Sequence, residues 1–169
     1  MPSLYSFPKR YLPQQLSRSD TRKQVSAINR SKKLYSKGIY YTRPSVKSFH
    51  SKPSHHVDNA KQLYGVDKIF PSKELSRKTG CSVAGLKQIV RKGEGAYYSS
   101  GSRPNQTAQS WGMARLASAI TAGKSAAVDF AILEKECNHG KRAYKLATKA
   151  VKKYGFGGRH KTRKRTIRM

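Results

Sequence analysis

TAQSWGMARLASAITAGKSAAVDFAILEKECNHGKRAYKLATKAVKKY, residues 107–154, carries three helical signals in succession. Thr107 can cap a helix over 108–122, with Trp111, Leu116 and Ile120 inward and Gly123 behind it. Ser125 opens a second over 126–136, whose core face is Val128, Ile132 and Leu133. Gly140 precedes a third over 141–154, with Tyr144, Ala147, Val151 and Tyr154 as its stripe. Apolar residues recur at three- and four-residue spacing throughout, and no alternation suggests a strand.

Upstream, PSKELSRKTGCSVAGLKQIVRKG (71–93) repeats the pattern. Ser72 caps a helix over 72–79 that Gly80 stops, and Ser82 caps another over 83–92 that ends before Gly93. The pair is similar to a helix-turn-helix. Lys87, Gln88, Arg91 and Lys92 would face outward, and Lys87, Arg91 and Lys92 are nucleic-acid candidates. The plainer alternative is two packed helices with an ordinary glycine turn. Between these stretches lies a loop, GAYYSSGSRPNQT (95–107). Its glycines, Ser99, Ser100, Ser102 and the fork of Arg103 could hold an anion at the start of the next helix. Equally, Tyr97 and Tyr98 could pack on the core while the serines and Asn105 close turns; a specific protein-docking surface that includes Gln106 is a third reading.

Further out, the chain turns basic. Lys and Arg number 36 against 8 Asp and Glu, a net charge of +28. Residues 1–57 hold 12 basic residues and 1 acid, residues 58–140 hold 12 and 7, and residues 141–169 hold 12 and none. The expected organisation is a basic N-terminal arm over 1–57, a helical domain over 58–154 and a basic tail over 155–169. In the N-terminal region, Ser17 and Asp20 have capping-box spacing before a mostly polar helix over 19–36 with a thin apolar stripe at Val25, Ile28 and Tyr35. Ser54 can cap a short helix over 55–64, ended by Gly65. The prolines at 2, 8 and 13 make the first residues extended. Tyr5, Phe7, Tyr11, Tyr40, Tyr41 and Phe49 lie between the cations and are expected to anchor in a partner's pockets. Arg159, Lys161, Arg163, Lys164 and Arg165 of the tail are expected to meet phosphates or an acidic groove. The fold class is thus all-α, a small multi-helix domain between extended basic arms.

The same composition argues against several functions. Apolar residues make up 36%, below the roughly 45–50% of ordinary globular chains. No apolar run approaches the roughly 18–20 residues that span a bilayer, and no secretory signal is visible at the N-terminus. Cys81 and Cys137 form no disulfide framework and no zinc site, so a reduced, intracellular setting is expected. His55 and His56 are neighbours expected to point apart, and Cys137 with His139 lacks two further ligands. No acid makes a legible pair with a histidine, and Asp129, Glu134 and Glu136 are expected to pair with nearby cations. Neither an enzyme nor a metal or cofactor is expected.

The loop Gly95 to Thr107, followed by Ser110-Trp111, Ala114 to Ser118 and Ala126 to Asp129, resembles a domain of large double-stranded-DNA viruses of algae and protists. A weaker likeness reaches back through residues 46–54 and Tyr64-Gly65, so that residues 46–137 are covered. The family carries no settled activity, and the resemblance implies a virion-associated protein rather than a reaction. The expected role is a minor capsid protein that bridges or cements major capsid subunits through its arms and touches other minor capsid proteins. Its place would be the capsid of a virion assembled in host cytoplasm, with the inner viral membrane surface nearby. Arg103 would serve docking and Trp111 core packing. A DNA-packaging protein and a ribosomal protein are the alternatives, since phosphates attract cations as well as acidic capsid faces do.

Overall fold

The computed structural model describes residues 1–158 and 162–169. The order is β1 (Leu4–Pro8), α1 (Arg18–Tyr35), α2 (His55–Tyr64), α3 (Lys73–Thr79), α4 (Val83–Ser99), α5 (Ala108–Ala119), α6 (Lys124–Val128), α7 (Phe130–Glu136), α8 (Arg142–Tyr154) and β2 (Lys164–Arg168). The chain is mostly helical, as the periodicity predicts. By backbone contacts it divides into two units, one of residues 1–52, 95–108 and 161–169, the other of residues 53–94 and 109–160. The division falls inside α4, between Glu94 and Gly95.

In the first unit the expected basic arms do not stand as arms. β1 and β2 pair antiparallel from Leu4 with Arg168 to Pro8 with Lys164. Backbone bonds between Ser3 and Met169, and from Lys9 N–H to the Arg163 carbonyl at 2.9 Å, extend the ladder. Two five-residue strands with charged outer positions are too short to stand out as an alternating pattern. Phe7 and Tyr11 are buried with Leu12, Leu16, Val25, Ile28, Val46 and Tyr97, so these aromatics have a core within their own chain.

α1 begins as its spacing predicts. The Ser17 hydroxyl accepts from the Asp20 N–H at 3.1 Å. The return half of the box is different. The Asp20 carboxylate takes the Ser48 N–H and hydroxyl at 2.8 and 2.6 Å, while the Ser17 N–H donates to the Ser48 hydroxyl at 2.9 Å. Ser48 thus stands inside the capping box and ties segment 43–49 to the start of α1.

The second unit packs α2, α3, the first twelve residues of α4, α5 from Gln109, α6, α7 and α8 around Leu75, Leu86, Ile89, Leu116, Ile120 and Leu133. Buried alanines, among them Ala126, Ala127, Ala143, Ala147 and Ala150, let these short helices approach closely. Gly80 stops α3 in the left-handed conformation at φ 80°, and Gly65 ends α2 at φ 61°.

Two helices differ from expectation. α4 does not end before Gly93 but runs through Gly93 and Gly95 to Ser99. A Cβ on Gly93 would lie 2.6 Å from the Gly112 Cα, so these glycines mark the crossing of α4 and α5 rather than a helix end. The expected helix 126–136 divides at Asp129 into α6 and α7, and the buried Asp129 carboxylate at this point receives the Arg115 fork at 2.7 and 2.8 Å. Val128, expected on the core face, is exposed beside this break, and Trp111 is half-buried.

The cysteines correct another expectation. Cys81, in the α3–α4 turn, and Cys137, between α7 and α8, form a disulfide. Two backbone bonds frame it, Ser82 N–H to the Glu136 carbonyl and Asn138 N–H to the Gly80 carbonyl, both 2.8 Å. The two loops meet as one antiparallel bridge.

Candidate functional site

The loop 95–107 is organised around a residue that its own pattern does not announce. Arg43 is 6% exposed and lies with its guanidinium carbon 3.7 Å from the centre of the Tyr97 ring. Its Nη1 donates to the Tyr97 carbonyl at 2.6 Å and the Ser31 hydroxyl at 3.1 Å, and its Nη2 donates to the Ser102 hydroxyl at 2.7 Å. The Tyr97 hydroxyl accepts from the Arg43 N–H at 2.9 Å. Burial pushes the Arg43 pKa down, and the neighbouring tyrosines, Tyr97 foremost, partly offset that cost.

Neighbouring polar groups extend this clasp. Gln24 donates to the Tyr11 and Ser102 carbonyls at 3.3 and 3.2 Å. Asn105, at φ 62°, accepts from the Val46 N–H at 2.7 Å and donates to the Phe49 carbonyl at 2.7 Å. The Ser102 hydroxyl in turn donates to the Arg103 carbonyl at 2.8 Å, so part of the loop's donor set is spent on the chain itself. The N–H groups of Ser100 and Gly101 both donate to the Ala96 carbonyl, closing the C-terminus of α4, whose partial negative charge repels an anion. Packing, the second of the three expected readings of this loop, agrees with the full burial of Tyr97.

The other docking candidates are spread over the surface of the first unit. Tyr98 is half-buried, and its ring stacks at 5.8 Å on Tyr35 and lies 5.2 Å from Tyr40. Ser99, Ser100 and Arg103 are exposed, and Gln106 is half-buried. Of the six arm aromatics, Phe7 and Tyr11 are buried, Tyr5, Tyr41 and Phe49 are half-buried, and only Tyr40 stands out, 71% exposed. Lys32 lies over Phe7 and Arg30 over Tyr41, at 4.9 and 4.8 Å.

In the tail, Arg165 is committed internally, donating to the Leu12 and Pro13 carbonyls at 3.0 and 2.9 Å. Arg163 and Lys164 are exposed, and Arg159 and Lys161 lie outside the described residues. In the second unit, Lys87, Gln88, Arg91 and Lys92 share the exposed face of α4, and Lys92 reaches Asp129 at 3.7 Å. The first turn of α4 is closed. Ser82 caps the Gly85 N–H at 3.0 Å and donates its own hydroxyl proton to Glu136. A carboxylate at this end opposes the approach of phosphate to the expected recognition helix.

Asp20 supplies a pH signature. Hydrogen bonds from Ser48, the side-chain one foremost, hold its pKa below the ordinary 3.8. Its contribution to stability is complete above that value and is lost as the pH falls through the lower folded value. Acid unfolding curves should therefore converge for wild type and Asp20→Asn in this window and separate above it. A constant separation across the window would assign the difference to packing.

Among the described residues no group of three or more His, Cys, Asp or Glu side chains is placed to hold a metal, and no helix is long and apolar enough to cross a membrane. The His55 and His56 rings, expected to diverge, lie 4.1 Å apart. No curated protein and no solved structure matches the sequence. A family model does match it over residues 8–135, from the end of β1 through α7, and so includes the Arg43 clasp, the loop 95–107 and the α3–α4 turn. The chain therefore belongs to the DUF5824 family, a family of unknown function.

Proposed function

We propose that this chain is a structural virion component, a minor capsid protein of a large icosahedral DNA virus that holds acidic faces of major capsid subunits and touches other minor capsid proteins. The supporting observation is the segregation of charge. Asp20, Asp129 and Glu136, three of only eight acids, are spent on internal partners, and most of the 36 Lys and Arg, Arg43, Arg115 and Arg165 excepted, remain to set the exterior field. The resemblance of the loop 95–107 to a domain of large DNA viruses supplies the setting. The Cys81–Cys137 disulfide is compatible with it, since such bonds persist at virion surfaces. Contact is made by folded surfaces rather than free arms, with Tyr40 as the exposed aromatic anchor. The reading includes no reaction and no cofactor.

Cross-linking mass spectrometry on purified particles tests it. Links from Lys33 and Lys37, near Tyr40, to capsid subunits are expected, and Tyr40→Ala should lower incorporation severalfold while the purified variant keeps its melting temperature. Absence of the chain from particles would overturn the reading. A nucleic-acid role for the α3–α4 pair is favoured by one observation, the exposed row Lys87, Gln88 and Arg91. Links from Lys87 to nucleic acid in the same particles would favour that role instead.

A further inference from the structure

The first unit contains eighteen Lys and Arg and one acid, Asp20, a net of +17. That acid is 5% exposed, committed to Ser48 and within reach of Lys23, so among the described residues no other Asp or Glu side chain of this unit is available to neutralise its surface. The outer face of α1 concentrates the cations. Arg18, Arg22 and Arg30 follow one row at multiples of four residues, with Lys23 beside it and the hydroxyls of Ser19 and Ser26 between. All six side chains are exposed. Among the described residues none of the three arginines pairs with a carboxylate, and only Lys23 approaches one, 3.8 Å from Asp20.

This face continues into a shallow groove of about 420 Å³ between α1 and segment 41–46, where Arg30 covers the half-buried ring of Tyr41. We propose that this face of α1 and the groove beside Tyr41 bind the phosphodiester backbone of a nucleic acid, without reading its bases.

Four features select this partner. Guanidinium forks match phosphate oxygens in pairs, and serine hydroxyls add neutral donors to the same groups. From Arg18 to Arg30 the helix advances about 18 Å, the length of about five phosphates at 3.4 Å per nucleotide along one strand. On this face an acidic protein would find no anchor, because protein interfaces are depleted of charge at their centres and anchored by aromatic or aliphatic side chains. The row from Arg18 to Arg30 exposes no large apolar side chain. Arg30 over Tyr41 sets a guanidinium on an aromatic ring at the groove wall, a pairing common in grooves that follow a single strand. The inference stands on the first unit's own residues and requires no virion setting.

Fluorescence anisotropy with the full chain tests it, using a short labelled single-stranded oligonucleotide and the matching duplex across about 50–200 mM salt. R18Q/R22Q/R30Q should weaken binding about tenfold or more and reduce the slope of log K against log[salt] by about 2 for the single strand or 3 for the duplex. K145Q/K149Q/K152Q, which removes the same charge from the exposed face of α8, should keep the wild-type slope. Whichever probe binds more tightly identifies the form of nucleic acid. Equal losses in both triple variants would overturn the proposal in favour of diffuse net-charge attraction. An unchanged slope in the α1 variant would also overturn it, as would displacement of the oligonucleotide by polyglutamate at equal charge concentration.

Discussion

Removing the Cys81–Cys137 disulfide, by reduction or as Cys81→Ala/Cys137→Ala, is expected to lower the unfolding free energy by about 4 kcal/mol. The bond joins residues 56 apart in sequence. Closing a loop of that length in the unfolded chain removes about 14 cal/mol/K of entropy in the chain-entropy treatment, which is about 4 kcal/mol at room temperature. For a chain of this size the loss corresponds to a fall of roughly 8–16 °C in melting temperature. The two backbone bonds framing the bridge hold the α3–α4 turn against the α7–α8 connection, and without the covalent link they hold it alone. Calorimetry of oxidised and reduced protein, paired with thiol titration, reads the effect directly. Equal melting temperatures, or two free thiols in protein isolated without reductant, would show that the bridge contributes nothing to stability.

Arg43→Ala is expected to cost about 3–4 kcal/mol. The substitution removes three charge-assisted hydrogen bonds and the contact with the Tyr97 ring, and it strips a donor from the buried Tyr97 carbonyl. Leaving a buried acceptor unsatisfied costs about 1–3 kcal/mol, and losing the long side chain from the core adds a packing term. Relief of the desolvation penalty opposes these terms, because Arg43 has no carboxylate partner. Arg43→Met separates them by keeping most of the volume while removing both charge and donors. Equal stability of Met and wild type would show that the hydrogen bonds only repay desolvation. A loss for Arg43→Lys close to that for Ala would show that the fork geometry matters, since an ammonium cannot reach Ser31, Tyr97 and Ser102 together.

These two side-chain systems also mark where local reading ends. Ser17 and Ser72 cap their helices as spacing predicts, and Gly65 and Gly80 end theirs, because each signal concerns a hydrogen bond or a φ angle within a few residues of itself. Gly93 carries the same local signal as Gly80 but serves a different purpose. Its missing Cβ makes room for Gly112 on another helix, and nothing within one turn of Gly93 reports that. Asp129 reads as a helical acid available for pairing, and it does pair with Arg115. That the helix divides at this residue, and that its carboxylate lies buried, is not written in the local spacing.

The candidate site was legible in outline. The loop 95–107 is distinctive in sequence, and Tyr97 is its packing centre. Arg43 gave no sign, because it sits among extended residues whose partner is 54 positions away. Ser48 was equally silent, since a serine in an extended segment has many possible roles until Asp20 and Ser17 come within reach.

By itself the amino-acid order determined the helical class, most helix starts and stops, and the excess of cations, because these follow from nearest-neighbour hydrogen bonding, apolar periodicity and simple charge count. Only the tertiary structure decided that the two ends pair as strands, that the cysteines bond and that the arm aromatics Phe7 and Tyr11 turn into a core. It also decided which cations remain outside once Arg43 is buried and Arg165 committed. Each of these outcomes is a contact between distant residues, and its free energy depends on burial and geometry that no local pattern encodes.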